Sequence, residues 1–203
     1  SDKDIVFGMS SSFIPIKGHM NALDALAQLR HDRGLPAHLL MANSGGDQKK
    51  VALRANELGI GDAVHFLGFC KNLPAALSAA DVGLFTARSS EGTSRAILEW
   101  MALGKPVVAT DVGAVREILE NDTEGLIVPP KNPPVLAETM ERILLDPDLR
   151  NRMGEASRKR AEAEYDRLVW TRKWVNLYRN ALGLKRAKID DPVPTSGITE
   201  STS

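Results

Sequence analysis

Along the first 130 or so residues, short apolar runs alternate with segments of helical period. The runs are DIVFG (4–8), AHLLMA (37–42), AVHFLG (63–68), DVGLFT (81–86), KPVVAT (105–110) and GLIVP (125–129). Several are apolar almost without interruption, the pattern of strands covered on both faces. Between them, helical spacing predicts helices over roughly 19–32, 47–59, 72–80, 93–103 and 113–121. Repeated strand–helix alternation predicts an α/β domain: a Rossmann-like parallel sheet of about six strands with helices on both faces. After GLIVPP the pattern turns to helices alone, over about 133–145, 148–164 and 166–182, with DPDLR turning the chain between the first two. Residues 184–203 are polar, carry Pro, Ser and Thr, and show no period, so a flexible tail is expected after a single domain of residues 1–183. No internal repeat is visible.

Composition narrows the function classes. The 203 residues are 43% hydrophobic, enough for one sizeable core. Lys plus Arg and Asp plus Glu both total 26, so the formal net charge is zero and no basic stripe marks a nucleic-acid partner. Cys70 is the single cysteine; it can form no internal disulfide, and no second Cys or His cluster accompanies it to make a zinc site. No apolar run approaches the ~18 residues of a membrane span, and the opening SDKDIVFGMS lacks a signal-peptide pattern. A soluble, cytoplasmic protein is expected.

In an open parallel sheet, ligands bind beyond the carboxyl ends of the strands, where connections split to opposite faces. The loops expected there are MSSSFIPIKGH, MANSGGD, GFCKN, TARSSEGTS and TDVGAV. The most informative stretch is SSEGTSRAILE (89–99), with a strand ending near Thr86 and a helix starting near Thr93. A helix amino terminus offers free N–H groups and a positive dipole end, a seat for phosphate. Gly92, Thr93 and Ser94 fit such a corner. Glu91 would repel a phosphate but suits hydroxyl groups beside one, and Glu99 can accept two hydroxyl hydrogen bonds. Phosphate flanked by two hydroxyl-rich groups describes a nucleotide sugar. The plainer alternatives are that Glu91 merely favours the helix dipole, that Glu99 pairs with Arg95 at i,i+4, and that Lys17, in IPIKGH, is an ordinary solvated lysine rather than a diphosphate partner.

The ordered segments PIKGH, VHFLGF, AADVGLFTARSSEG, the glutamate pair, EWMALGKPVVATDVGAVREI, TEGLIVPP and LLDPDLRNRMGEASRKRAEAEY resemble the C-terminal, nucleotide-sugar-binding domain of GT-B glycosyltransferases in the retaining group called glycosyltransferase family four. The resemblance covers about residues 4–182. It implies that Glu91 holds the donor sugar beside the reacting carbon, and that Glu99 binds the ribose hydroxyls. Backbone N–H groups of Gly92, Thr93 and Ser94 would meet the sugar and diphosphate, Lys17 would offset the diphosphate charge, and backbone at Phe69 and Cys70 would border the base. The implied donor is a UDP- or GDP-sugar, the implied acceptor a saccharide, lipid-linked or small molecule, and no metal or other cofactor is expected, since Lys17 and the helix terminus stand in for a cation. Peripheral contact with an inner membrane face is compatible with such an enzyme. The D-x-D spacing of Asp146 and Asp148 lies in a helix–helix turn, far along the chain from these loops, and His19, the histidine nearest the site, is expected to cap or pack.

Two departures from the family pattern stand out. Five residues before Lys17, where the family usually carries an arginine, this chain has Ser12, leaving Arg88 or Arg95 as substitute cations. The segments that match leave no room for the family's N-terminal, acceptor-binding domain, so this sequence is expected to correspond to half of such an enzyme. In such enzymes the C-terminal helix crosses back to the other domain; here the stripe of Trp170, Trp174, Leu177 and Tyr178 is expected to pack mostly on its own core. The rival functions are a non-catalytic nucleotide-sugar sensor and a dinucleotide-binding dehydrogenase. The latter lacks the G-x-G-x-x-G expected after the first strand, where GMSSSF stands instead.

Overall fold

A computed structural model describes residues 4–89 and 94–184. All six expected strands form, as β1 (Ile5–Ser10), β2 (Ala37–Ala42), β3 (Val64–Gly68), β4 (Val82–Phe85), β5 (Val107–Thr110) and β6 (Gly125–Val128). They make one parallel sheet in the order β3-β2-β1-β4-β5-β6. The chain thus builds outward from β1 in one direction, then returns to its other side with β4. Right-handed crossovers place the helices after β1 and β2 on one face and those after β4 and β5 on the other, so the connections part between β1 and β4. Every residue of β4 and β5 is buried, as the continuous apolar runs require. The edge strand β3 buries Val64 and exposes His65, the alternation of a strand with one covered face.

Helix extents follow the apolar spacing where it is long. The segment 19–32 is α1 (His19–Ala27) continued by a π-helical turn Gln28–Asp32. Segment 133–145 is α6 (Pro133–Leu145), capped by the Asn132 side chain, which accepts from Val135 N. Between them lie α2 (Gln48–Glu57), α3 (Leu73–Leu77), α4 (Arg95–Ala102) and α5 (Val115–Ile118). The last is only four residues long: the segment predicted over 113–121 stops because Leu119 turns extended (φ −116°, ψ 133°) and the Glu124 carboxylate takes the Glu120 N–H at 2.7 Å. In α7 (Pro147–Arg160), Asp146 accepts from Leu149 N at 2.8 Å and Asp148 occupies the first turn. The D-x-D spacing is therefore a helix start.

Helix α4 is fastened to the sheet by Trp100, which is fully buried. Gly8 of β1 and Gly83 of β4 are register partners, and a methyl group at either would overlap the indole. Two missing side chains on adjacent strands thus make the slot that the ring fills. Trp100→Ala would leave that slot empty and is expected to destabilise the chain by about 3–5 kcal/mol, measured by urea unfolding.

The chain divides into two compact units, residues 1–159 and 160–203. The second contains a π-helical turn, Ala161–Tyr165, and α8 (Arg167–Ala181), whose amino end is capped by Asp166 accepting from Leu168 N at 2.8 Å. Along α8 the rings of Trp170, Trp174 and Tyr178 follow one another at 6.4 and 6.2 Å between centroids. Contrary to the expectation of self-packing, Trp170, Trp174, Leu177 and Tyr178 are all exposed; the rings touch one another instead of entering a core. Of the expected tail, 184–203, all but Leu184 lies outside the described residues.

Candidate functional site

The loop after β1 is shaped by three local devices. Pro15–Lys17 forms one 3-10 turn, closed by Lys17 N donating to Ile14 O at 3.0 Å. Gly18 follows in the left-handed region (φ 73°) and starts α1; a side chain there would be strained and would also overlap the Thr86 carbonyl. The Thr86 hydroxyl donates to Lys17 O at 2.9 Å and Gly18 O at 3.2 Å, and Arg88 N donates to Ile16 O at 2.8 Å. The start of the β4–α4 loop is therefore stitched to the backbone that carries Lys17. Thr110, at the end of β5, donates to Ala87 O at 2.7 Å and braces the same loop from its other side. Neither threonine carries a recognisable sequence signal beyond closing an apolar run. Their role depends on which strands become neighbours.

His19 is buried, with its ring stacked on Phe13 (centroids 4.7 Å apart) and its Nε2 3.1 Å from Ser11 Oγ. It packs, while Gly18 occupies the cap position. Burial, with a smaller contribution from the Lys17 charge, lowers its pKa from 6.5 to about 4. As pH falls, the unfolded chain therefore takes up this proton first. The contribution to stability is complete above about pH 6.5 and declines towards pH 4 at up to about 1.4 kcal/mol per pH unit. His19→Gln removes that titration, so the stability difference between the two proteins should shift in favour of the variant as unfolding is repeated at pH 7, 6 and 5.

On the other side of the gap, Ser94 is buried at the amino end of α4, and Glu99 lies one turn further along. Glu99 and Arg95 form no ion pair among the described residues; the Ser10 hydroxyl instead donates to Glu99 Oε2 at 3.3 Å. That bond joins the last residue of β1 to the helix following β4. The structure thus ties Glu99 to the end of β1 and the backbone of Lys17 to the β4–α4 loop, both at the parting of β1 and β4. Phe69, which is exposed, and Cys70 follow β3 at the same carboxyl edge. Two strand spacings separate β3 from β1, about 10 Å. Ser12 is exposed. Arg88 is exposed too and lines a small cavity of about 80 Å³ with Phe13, Gly18, His19 and Asp47. Glu91, Gly92 and Thr93 lie outside the described residues.

A parallel sheet in the order 3-2-1-4-5-6, with its connections parting between β1 and β4, defines a doubly wound α/β domain whose ligands are expected at that parting. The chain belongs to the family of glycosyl transferases group 1, whose sequence model matches residues 1–160. It is 32% identical to alpha-D-kanosaminyltransferase of Streptomyces kanamyceticus over 151 residues, 73% of this chain and 39% of that protein. It is also 32% identical to MMP alpha-(1->4)-mannosyltransferase of Mycolicibacterium hassiacum over 161 residues, 77% of this chain and 38% of the relative. The chain therefore spans about two fifths of the length of these relatives. Among solved structures, HepE of Anabaena in complex with UDP superposes with a TM-score of 0.81 at 25% identity, covering 88% of this chain and 49% of that one. The fold is one Rossmann-like half of the GT-B architecture. Membership of this family sets aside the dehydrogenase reading. No helix among the described residues is long and apolar enough to cross a membrane.

Proposed function

We propose that this chain is the C-terminal, donor-binding half of a retaining glycosyltransferase of family four, taking a nucleoside diphosphate sugar and, together with an N-terminal acceptor-binding half, passing the sugar to an acceptor hydroxyl. The observation that carries this reading is the Ser10–Glu99 hydrogen bond across the β1–β4 gap, beside a β4–α4 loop whose start is stitched to the backbone of Lys17. Glu99 accepts the ribose hydroxyls. The diphosphate lies over the α4 amino end, and Glu91 holds the sugar. When the bond from the sugar's anomeric carbon to the diphosphate oxygen breaks, its electron pair leaves on the phosphate, and Lys17 meets the added charge. No metal is required in this scheme. Arg88, whose backbone is tied to Ile16, stands near enough to the Lys17 loop to replace the cation that Ser12 lacks. UDP is the favoured carrier, because HepE, similar in fold, was solved with UDP and with UDP-glucose. The exposed stripe of α8 is the surface offered to the acceptor-binding half.

Co-expression with an acceptor-binding half, followed by assays of UDP- and GDP-sugar hydrolysis and transfer, tests the proposal. Turnover of one donor supports it. Nucleotide binding without turnover of any donor would favour the non-catalytic sensor, the reading to which the uncharged Ser12 lends weight.

A further inference from the structure

The three serines from the last residue of β1 onward have three different surroundings. Ser12 faces solvent. Ser11 meets His19 Nε2 at 3.1 Å, and so belongs to the packing of α1. Ser10 alone reaches across the crossing point, donating to Glu99 Oε2 at 3.3 Å. Both side chains are half-buried, and Glu99 has no competing ion pair with Arg95 among the described residues. An ionised carboxylate has about four acceptor positions on its two oxygens, so one bond from Ser10 leaves both oxygens able to accept more. What the bond removes is rotation of the glutamate side chain, a freedom that a ligand would otherwise have to suppress on binding.

We propose that Ser10 is a positioning residue that holds the Glu99 carboxylate in place for the paired hydroxyls of the donor's ribose, and so makes this chain selective for nucleotides carrying them. The proposal rests on the reading of Glu99 as the ribose acceptor. It assigns the first serine of the run a part in specificity. It also separates that part from the structural part of Ser11. Ser10 occupies the end of a central strand, where the register with Ala42 of β2 fixes its backbone. Its hydroxyl therefore approaches Glu99 from the rigid sheet rather than from a loop.

The test is calorimetric titration of the chain with UDP and with 2′,3′-dideoxy-UDP, which lacks both hydroxyls. Four proteins are compared: unaltered, Ser10→Ala, Ser10→Thr and Glu99→Gln. The unaltered chain is expected to prefer UDP by at least about tenfold, the worth of one hydrogen bond to a charged group. Ser10→Ala should weaken UDP about 3- to 10-fold and leave the dideoxy compound unchanged, so the preference shrinks. Ser10→Thr, which keeps the hydroxyl, should retain most of it. Equal losses for both nucleotides in Ser10→Ala, or no loss for either, would overturn the positioning role while leaving Glu99 intact as ribose acceptor. If Glu99→Gln also keeps the full preference for UDP, the reading of Glu99 fails, and Ser10 with it.

Discussion

Replacing Lys17 with alanine is expected to lower sugar transfer about 10²- to 10³-fold in the assembled enzyme, chiefly through kcat. The argument is one of timing. A bound nucleoside diphosphate sugar already carries charge in the ground state, and the α4 amino end contributes to meeting it. Negative charge on the departing phosphate grows only as the bond to the sugar breaks, and a fixed cation beside that oxygen acts most strongly then. The backbone that carries Lys17 is fixed: its turn is closed by Ile14, its carbonyl is held by Thr86, and Gly18 locks the chain direction behind it. Arg88, proposed to replace the cation that Ser12 lacks, keeps part of the stabilisation, so the loss should stay within that range. Steady-state kinetics with varied donor measure it; an unchanged kcat would remove Lys17 from the reaction.

The second large effect separates the two glutamates of SSEGTSRAILE. Glu99→Ala should weaken UDP binding about 10- to 100-fold, as expected for lost hydrogen bonds to a charged acceptor. Glu91→Ala should leave UDP affinity within about twofold, because its proposed partner is the transferred sugar and UDP carries none, yet severely reduce transfer. The division follows from chemistry. Under the proposed assignment, UDP carries the ribose for Glu99 but no transferable sugar for Glu91. Titration with UDP alone, followed by rates with the UDP-sugar, resolves the two. Equal losses of UDP affinity in both variants would contradict the assignment.

The sheet was legible because β1, β2, β4 and β5 are covered on both faces, which forces apolar runs that no helix period imitates. Long helices were legible too, since α1 with its π-turn and α6 repeat their apolar spacing over several turns. The short α5 was overdrawn, because its end is set by the Glu124 carboxylate reaching back to Glu120, a tertiary event. The one-turn Pro15–Lys17 has too few residues for any period.

At the site, Lys17 stood out in the loop after β1 and Glu99 in the helix after β4, two connections that a parallel sheet gathers at one edge. Ser10, Thr86 and Thr110 did not stand out. A hydroxyl at the end of a strand can serve its own backbone or a neighbour's, and only the order β1-β4-β5 decides which. The Trp100 slot was likewise hidden: Gly8 and Gly83 are 75 positions apart, and only their pairing in register reveals the space they share.

The most direct test of the central claim is a thermal-shift comparison of the chain with UDP, GDP, ADP and NAD, each far above its expected dissociation constant. A ligand at 100 times its Kd adds about 2.7 kcal/mol to stability. UDP or GDP is predicted to raise the melting temperature, and Glu99→Ala, binding about 10- to 100-fold more weakly, to cut that gain to about 0.4–1.4 kcal/mol at the same concentration. A shift with NAD alone, or a UDP shift that survives Glu99→Ala undiminished, would contradict the account.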